Sequence, residues 1–187
     1  TGKIEAAIEI QNQSSSNDRI RRRNSRDYGR EVMRSERVGN RRTEKQKVRD
    51  SWIIQKIINK CDVEKDHKGA LSLFMKQSHK LSNVAYWETL RALWIACGKR
   101  ENYPIFKKLF RAEVDCQSYL MTASDWCSYM NMPANLTVYR ASYKDGDDGL
   151  SWTTSKEFAE SYAKTRDRKV ISKKIKKIDI FAYFNSR

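Results

Sequence analysis

At Pro133 the spacing of large apolar residues changes, and that break constrains the fold more than any other feature of the chain. Before it, apolar side chains recur every three or four positions, the period of a helix with one buried face. After it they alternate over short runs separated by turn residues, the period of strands. A chain of 187 residues has room for one ordinary domain plus an appendage, with apolar material for a real core. The pattern predicts an α+β protein in three parts: a basic arm over 1–45, a helical region over 46–132 and a β-rich region over 133–187.

In the helical region, Val48, Trp52, Ile54, Ile57, Ile58 and Cys61 predict an apolar stripe on a helix starting near Lys45. His67 to Lys80 carries Leu71, Phe74, Met75 and Ser78 on one side. Asn83 reads as the cap of a helix with Trp87, Leu90, Trp94 and Cys97 on its face, stopped by Gly98. Pro104 suits a first helical turn, and Thr122 to Asp125 reads as a capping box with aspartate in place of glutamate. Beyond Pro133, Leu136 to Ala141 and Leu150 to Thr153 predict strands joined by a turn-rich segment. Thr154 to Glu157 predicts a capping box for a helix over Phe158 to Lys164, and Val170 to Ile175 and Asp179 to Phe184 predict two more strands.

The formal charge of +15 is unevenly spread. Between Arg19 and Arg49 thirteen lysines and arginines face four acids, in a stretch too poor in large apolar groups to offset the entropy of ordering. Residues 1–45 therefore read as an arm that is disordered alone and folds on a partner. Arg19, Arg21, Arg22, Arg23, Arg26 and Arg30 form its densest part, and clustered guanidinium groups of this kind displace counterions from phosphates and stack on bases. DNA, RNA and an acidic protein surface all fit that chemistry, and so does a solvated tail that keeps the protein soluble.

Cys61, Cys97, Cys116 and Cys127 show neither C-x-x-C spacing nor a histidine cluster, which argues against a zinc site and gives a disulfide framework no support. His67 and His79 have no paired nucleophile or ligand. No apolar run reaches the length of a spanning helix, and the first ten residues carry acids unlike a secretory signal. These features predict a cytoplasmic protein without a membrane partner.

The residues that carry chemistry lie in the last third. Val138-Tyr139-Arg140 is followed by Leu150-Ser151-Trp152-Thr153-Thr154 and then by Phe158-Ala159-Glu160-Ser161-Tyr162-Ala163. A guanidinium grips a pyrophosphate as a fork and hydroxyls orient a ribose, so an arginine strand followed by a Ser-x-Thr strand and a small-residue helix suits a minimal dinucleotide pocket. Alternation along a strand puts the Ser151 and Thr153 hydroxyls on one side and the Trp152 indole on the other. The bland alternative is an arginine lying across a strand and two hydroxyls facing solvent.

This order resembles the core of the mono-ADP-ribosyltransferase superfamily, in its Arg…Ser-x-Thr…Glu branch, and small proteins of that kind in phages and prophages. The resemblance spans about residues 115–187 and implies the family's small split β-sheet, NAD as substrate, Arg140, Ser151 and Thr153 on the cofactor, and Tyr162 as a ring to stack on nicotinamide. The family's last motif is a Glu-x-Glu or Gln-x-Glu following a strand like Asp179 to Phe184, and the glutamate stabilises the positive charge that develops on the ribose. The sequence runs to Arg187, where that motif would begin, so no catalytic residue is assigned; Glu160 and Asp179 are nearby acids that do not occupy its position. Two functions follow. One is a phage-type enzyme that moves ADP-ribose from NAD to a host macromolecule, with the arm selecting the target. The other is a catalytically incomplete protein of the same fold that binds nucleic acid, or a host nucleic-acid machine, and inhibits it.

Overall fold

The computed structural model describes residues 6–9, 42–143 and 149–184. The fold is mixed helix and strand, of the α+β kind, and the chain divides into two compact units, residues 22–120 and residues 1–21 with 121–187. The boundary at Leu120 and Met121 departs from the one the sequence suggests near Pro133. It falls earlier because the helix after Thr122 packs with strands: the Tyr129 hydroxyl donates to the Lys177 carbonyl at 3.1 Å, and Tyr129 and Met132 lie against the β-rich core.

The first described element, β1 (Ala6–Glu9), belongs to a sheet. The arm assigned to 1–45 therefore gives up four residues to the fold at this end. An Ala-Ala-Ile stretch offers a strand neighbours to pair with, whereas the Arg- and Ser-rich residues 10–41 lie outside the described residues, together with Arg19, Arg21, Arg22, Arg23, Arg26 and Arg30.

The helical unit contains α1 (Glu44–Ile58), α2 (His67–Gln77), α3 (Asn83–Cys97) and α4 (Tyr103–Phe110). Thr43 caps α1 by accepting from the Gln46 amide, and Asp66 caps α2 by accepting from Gly69. The cap of α3 is Ser82, one residue before the expected Asn83, because its hydroxyl accepts from the Ala85 amide at 3.3 Å. Gly98 ends α3 as expected, and Pro104 sits in the first turn of α4.

The core of this unit is aromatic. Trp94 is wholly buried, with the rings of Phe106, Phe110 and Tyr103 at centroid distances of 4.9, 5.5 and 5.9 Å. Tyr86 and Trp87 are buried beside Phe74, and their polar ends are satisfied by backbone: Tyr86 Oη donates to Leu109 O at 2.9 Å and Trp87 Nε1 to Asp115 O at 2.8 Å. Such a ring retains its hydrogen bond while removing a large apolar area from water.

Helix α1 is turned away from part of the face its apolar spacing suggests. Ile57 and Cys61 are inside as expected, joined by Asp50 and Ile53, whereas Val48, Trp52 and Ile58 are 69%, 58% and 37% exposed. The reason is Asp50, which is 1% exposed and accepts from the Ser82 hydroxyl at 2.6 Å, the Ser82 amide at 3.0 Å and Gln46 Nε2 at 2.7 Å. Anchoring one carboxylate at the start of α3 fixes the rotation of α1, and Trp52 is left under the Lys56 ammonium at 3.5 Å. On α2 the buried set is Ala70, Leu71 and Phe74, with Met75 outside.

The sheet unit begins with α5 (Ala123–Met130), whose Thr122 and Asp125 make the expected reciprocal capping box. Then come β2 (Asn135–Ser142), β3 (Ser151–Trp152), α6 (Lys156–Lys164), β4 (Lys169–Lys176) and β5 (Ile180–Phe184). Antiparallel pairing gives two sheets among the described residues, one in the order β3, β1, β5 and one made of β2 and β4. An antiparallel bridge between Tyr139 and Thr153 ties the second to the first. Val138, Trp152, Ile175 and Ile180 form the core between them. Helix α6 is capped by Ser155, not Thr154: Ser155 Oγ accepts from the Phe158 amide at 3.1 Å and donates to Glu157 at 3.1 Å.

Candidate functional site

The arginine strand and the Ser-x-Thr strand meet at the Tyr139–Thr153 bridge. Tyr139 donates to Thr153 O at 2.7 Å and Thr153 donates to Tyr139 O at 2.9 Å, so the two residues are a directly opposed pair on one face of the sheet. Alternation then places Arg140 on the other face, with Val138 and Leu136, whose partners on β4 are Lys173 and Ile175. Arg140 reaches β3 through the main chain: its Nη1 donates to the Ser151 carbonyl at 2.5 Å. A Cβ at residue 149 would run into the Arg140 guanidinium, so glycine at this position is what lets the side chain lie against the loop backbone. The Trp152 indole donates to Gly149 O at 3.1 Å from within the core, as expected of the buried member of the Ser-Trp-Thr triplet.

Thr153 is 6% exposed, and its hydroxyl accepts from the Ser155 amide at 3.1 Å, which fixes the turn into α6. Ser151 is half-buried. Arg140, Ser151 and Thr153 are thus brought to one junction, Arg140 through a backbone carbonyl and the hydroxyls from the opposite side of the strand.

Tyr162 lies on the outer side of α6. The inner face of α6 is made by Ala159 and Ala163, both buried, with Phe158 half-buried, whereas Tyr162 is 37% exposed. Its ring lies by Phe158 at 6.2 Å and 24°, with the guanidinium carbons of Arg166 and Arg168 at 4.9 and 5.4 Å. The small alanines bring α6 close to the sheet and leave the tyrosine at the rim.

The two acids near the expected glutamate position are engaged locally. Glu160 pairs with Lys156 at 3.3 Å, and Asp179 accepts from the Lys176 amide at 3.3 Å. An acid that sequence reasoning passed over is Glu9. It was grouped with the arm, yet it lies on the strand bordering β3, with Ile8 paired to Ser151 and Glu9 to Ile180 of β5.

Among the described residues no group of His, Cys, Asp and Glu side chains is placed to hold a metal ion, and no helix is long and apolar enough to cross a membrane. Burial pushes the Cys97 thiol up to about 12 and raises that of Cys61 as well, and both are buried in the helical unit. Comparison of the chain with protein-family models, with curated proteins and with solved structures finds no match.

Proposed function

We propose that the sheet unit is an ADP-ribosyltransferase-like fold that takes NAD, in a phage-type protein that acts on a host macromolecule. The observation that carries this reading is the junction of β2 and β3, where Arg140 donates to the Ser151 carbonyl and its neighbour Tyr139 bridges Thr153. In this reading the Arg140 guanidinium meets the pyrophosphate, Ser151 meets the nicotinamide ribose, and Thr153 keeps β3 and α6 in place. A charged, forked donor suits a pyrophosphate because both of its bonds are charge-assisted. Nucleic acid, or a protein bound to it, is the partner class that the arginines between Arg19 and Arg30 favour.

A second reading is favoured by the local engagement of Glu160 and Asp179. It is a protein of the same fold that binds NAD or nucleic acid without turnover and inhibits a host nucleic-acid machine by occupancy. Losing one transition-state stabiliser costs roughly a hundredfold to a thousandfold in rate, so the two readings separate cleanly. Incubation with labelled NAD and a bacterial lysate tests them. Label transferred to a macromolecule and lost in Arg140→Ala supports the enzyme; NAD retained on the protein without transfer supports the binder; no retention and no transfer rejects both uses of NAD.

A further inference from the structure

Outside the β2–β3 junction, the sheet unit carries a ladder of alternating rings and guanidinium groups. The Arg168 guanidinium carbon lies 4.0 Å from the centre of the Tyr143 ring and 5.4 Å from that of Tyr162, and Arg166 lies 4.9 Å from Tyr162. The order is therefore Tyr143, Arg168, Tyr162, Arg166. Arg168 Nε is buried without a hydrogen-bond partner among the described residues, and the guanidinium lies over the Tyr143 ring. Tyr143 nevertheless remains 57% exposed and Tyr162 37% exposed.

The sequence from α6 to β4 is cationic, whereas the residues that follow Tyr143 include Asp145, Asp147 and Asp148. Between Lys156 and Lys176 there are eight lysines and arginines against three acids. Lys164 is exposed in the last turn of α6, and exposed Lys169 pairs in the sheet with Ser142, the residue before Tyr143. Lys174 and Lys176 are exposed further along the same strand.

We infer that this ladder is a binding surface for single-stranded nucleic acid, in which a base stacks on the exposed Tyr143 ring while the flanking lysines and Arg166 meet phosphates. Two properties favour that occupant over an acidic peptide. Every base has a π-face, so exposed rings interleaved with cations suit a strand whose bases are unpaired. Duplexes present their bases stacked inward and offer a ring only the backbone. The inference rests on the ladder and not on NAD, and it stands or falls separately from the β2–β3 junction.

The test uses the full chain, a fluorescent oligothymidine and an abasic oligonucleotide of the same length and charge. Phosphate contacts by the arm act on both probes, so the ratio of the two affinities isolates stacking. The wild-type chain binds oligothymidine more tightly than the abasic probe. Tyr143→Ala reduces that preference by about tenfold and Tyr143→Phe keeps it, while Arg168→Ala reduces it in the same direction. An unchanged preference in Tyr143→Ala overturns the inference, as does equal affinity of the wild-type chain for both probes. Binding of an acidic peptide in preference to oligothymidine also overturns it, and assigns the surface to a protein.

Discussion

The helical unit and the sheet unit both end aromatic side chains on backbone carbonyls, and differ in what they leave at the surface. In the helical unit the principal buried carboxylate, Asp50, is closed off by Ser82 and Gln46, and the Tyr86 and Trp87 rings end on backbone carbonyls. The sheet unit buries β5 and the cluster around Val138 and Trp152, and leaves Arg140 half-buried on a strand carbonyl and the tyrosines of the ladder exposed. Burying polar groups with full hydrogen bonding makes a unit specific and stiff; leaving donors and rings at the edge leaves them within reach of a ligand. On the proposed reading, the first unit mainly supplies stability and the second supplies recognition.

The largest effects fall on stability, in the helical unit. Trp94→Ala removes a fully buried ring from between Tyr103, Phe106 and Phe110 and costs about 3–5 kcal/mol, read as a fall in the midpoint of denaturant unfolding. Asp50→Ala strands the Ser82 hydroxyl and amide and costs roughly 2–3 kcal/mol. If either substitution lowers oligonucleotide or NAD affinity in the folded protein while leaving stability unchanged, the division of labour is wrong.

Arg140→Ala comes next, and its cost appears in the other unit as about 1.5–3 kcal/mol of NAD binding. Gly149→Ala gives an independent route to the same junction, because the added Cβ displaces the guanidinium from the loop while leaving the arginine present. It weakens NAD binding in the same direction as Arg140→Ala.

Three smaller effects sharpen the contrast. Trp52→Ala, on the exposed side of α1, changes stability by less than about 0.5 kcal/mol, whereas the apolar spacing of α1 would have placed Trp52 inside. Native-state alkylation with iodoacetamide labels exposed Cys127 and spares Cys61 and Cys97 until the helical unit opens, since burial raises both thiols and withholds the reactive thiolate. The Asp66 carboxylate, held below its ordinary value of 3.8 by the Gly69 amide and by Lys60, contributes its cap to α2 above that value and loses it as pH falls through the lower folded-state value. Amide protection in the first turn of α2 therefore falls in acid, and Asp66→Asn flattens the profile.

How much the sequence disclosed followed the physics of each element. Helices α3 and α4 were legible because proline, glycine and the aromatic period agreed, although the cap of α3 falls one residue earlier, at Ser82. Helix α1 was misread in rotation because hydropathy treats Asp50 as a surface residue, and only its partner 32 positions away makes it a buried one. Strand β1 was hidden since four residues give too short a period to rise above the polar tract beside them. At the candidate site, the strand order and the buried Trp152 were readable. The face occupied by Arg140 was not, because it depends on the Tyr139–Thr153 register, and registers across a long loop are set by tertiary pairing. The ladder escaped notice for a related reason: Tyr143 and Arg168 are neighbours only because Ser142 pairs with Lys169.

The central claim is that the β2–β3 junction binds NAD through Arg140. Calorimetric titration of NAD into the wild-type chain, Arg140→Ala and Gly149→Ala tests it most directly, with denaturation curves on the same samples to verify folding. The account predicts binding by the wild-type chain and a tenfold to hundredfold loss in Arg140→Ala, with weakened binding in Gly149→Ala. No heat of binding with the wild-type chain, or equal affinity in folded Arg140→Ala, would contradict it and leave Arg140 as a pin for the Ser151 strand.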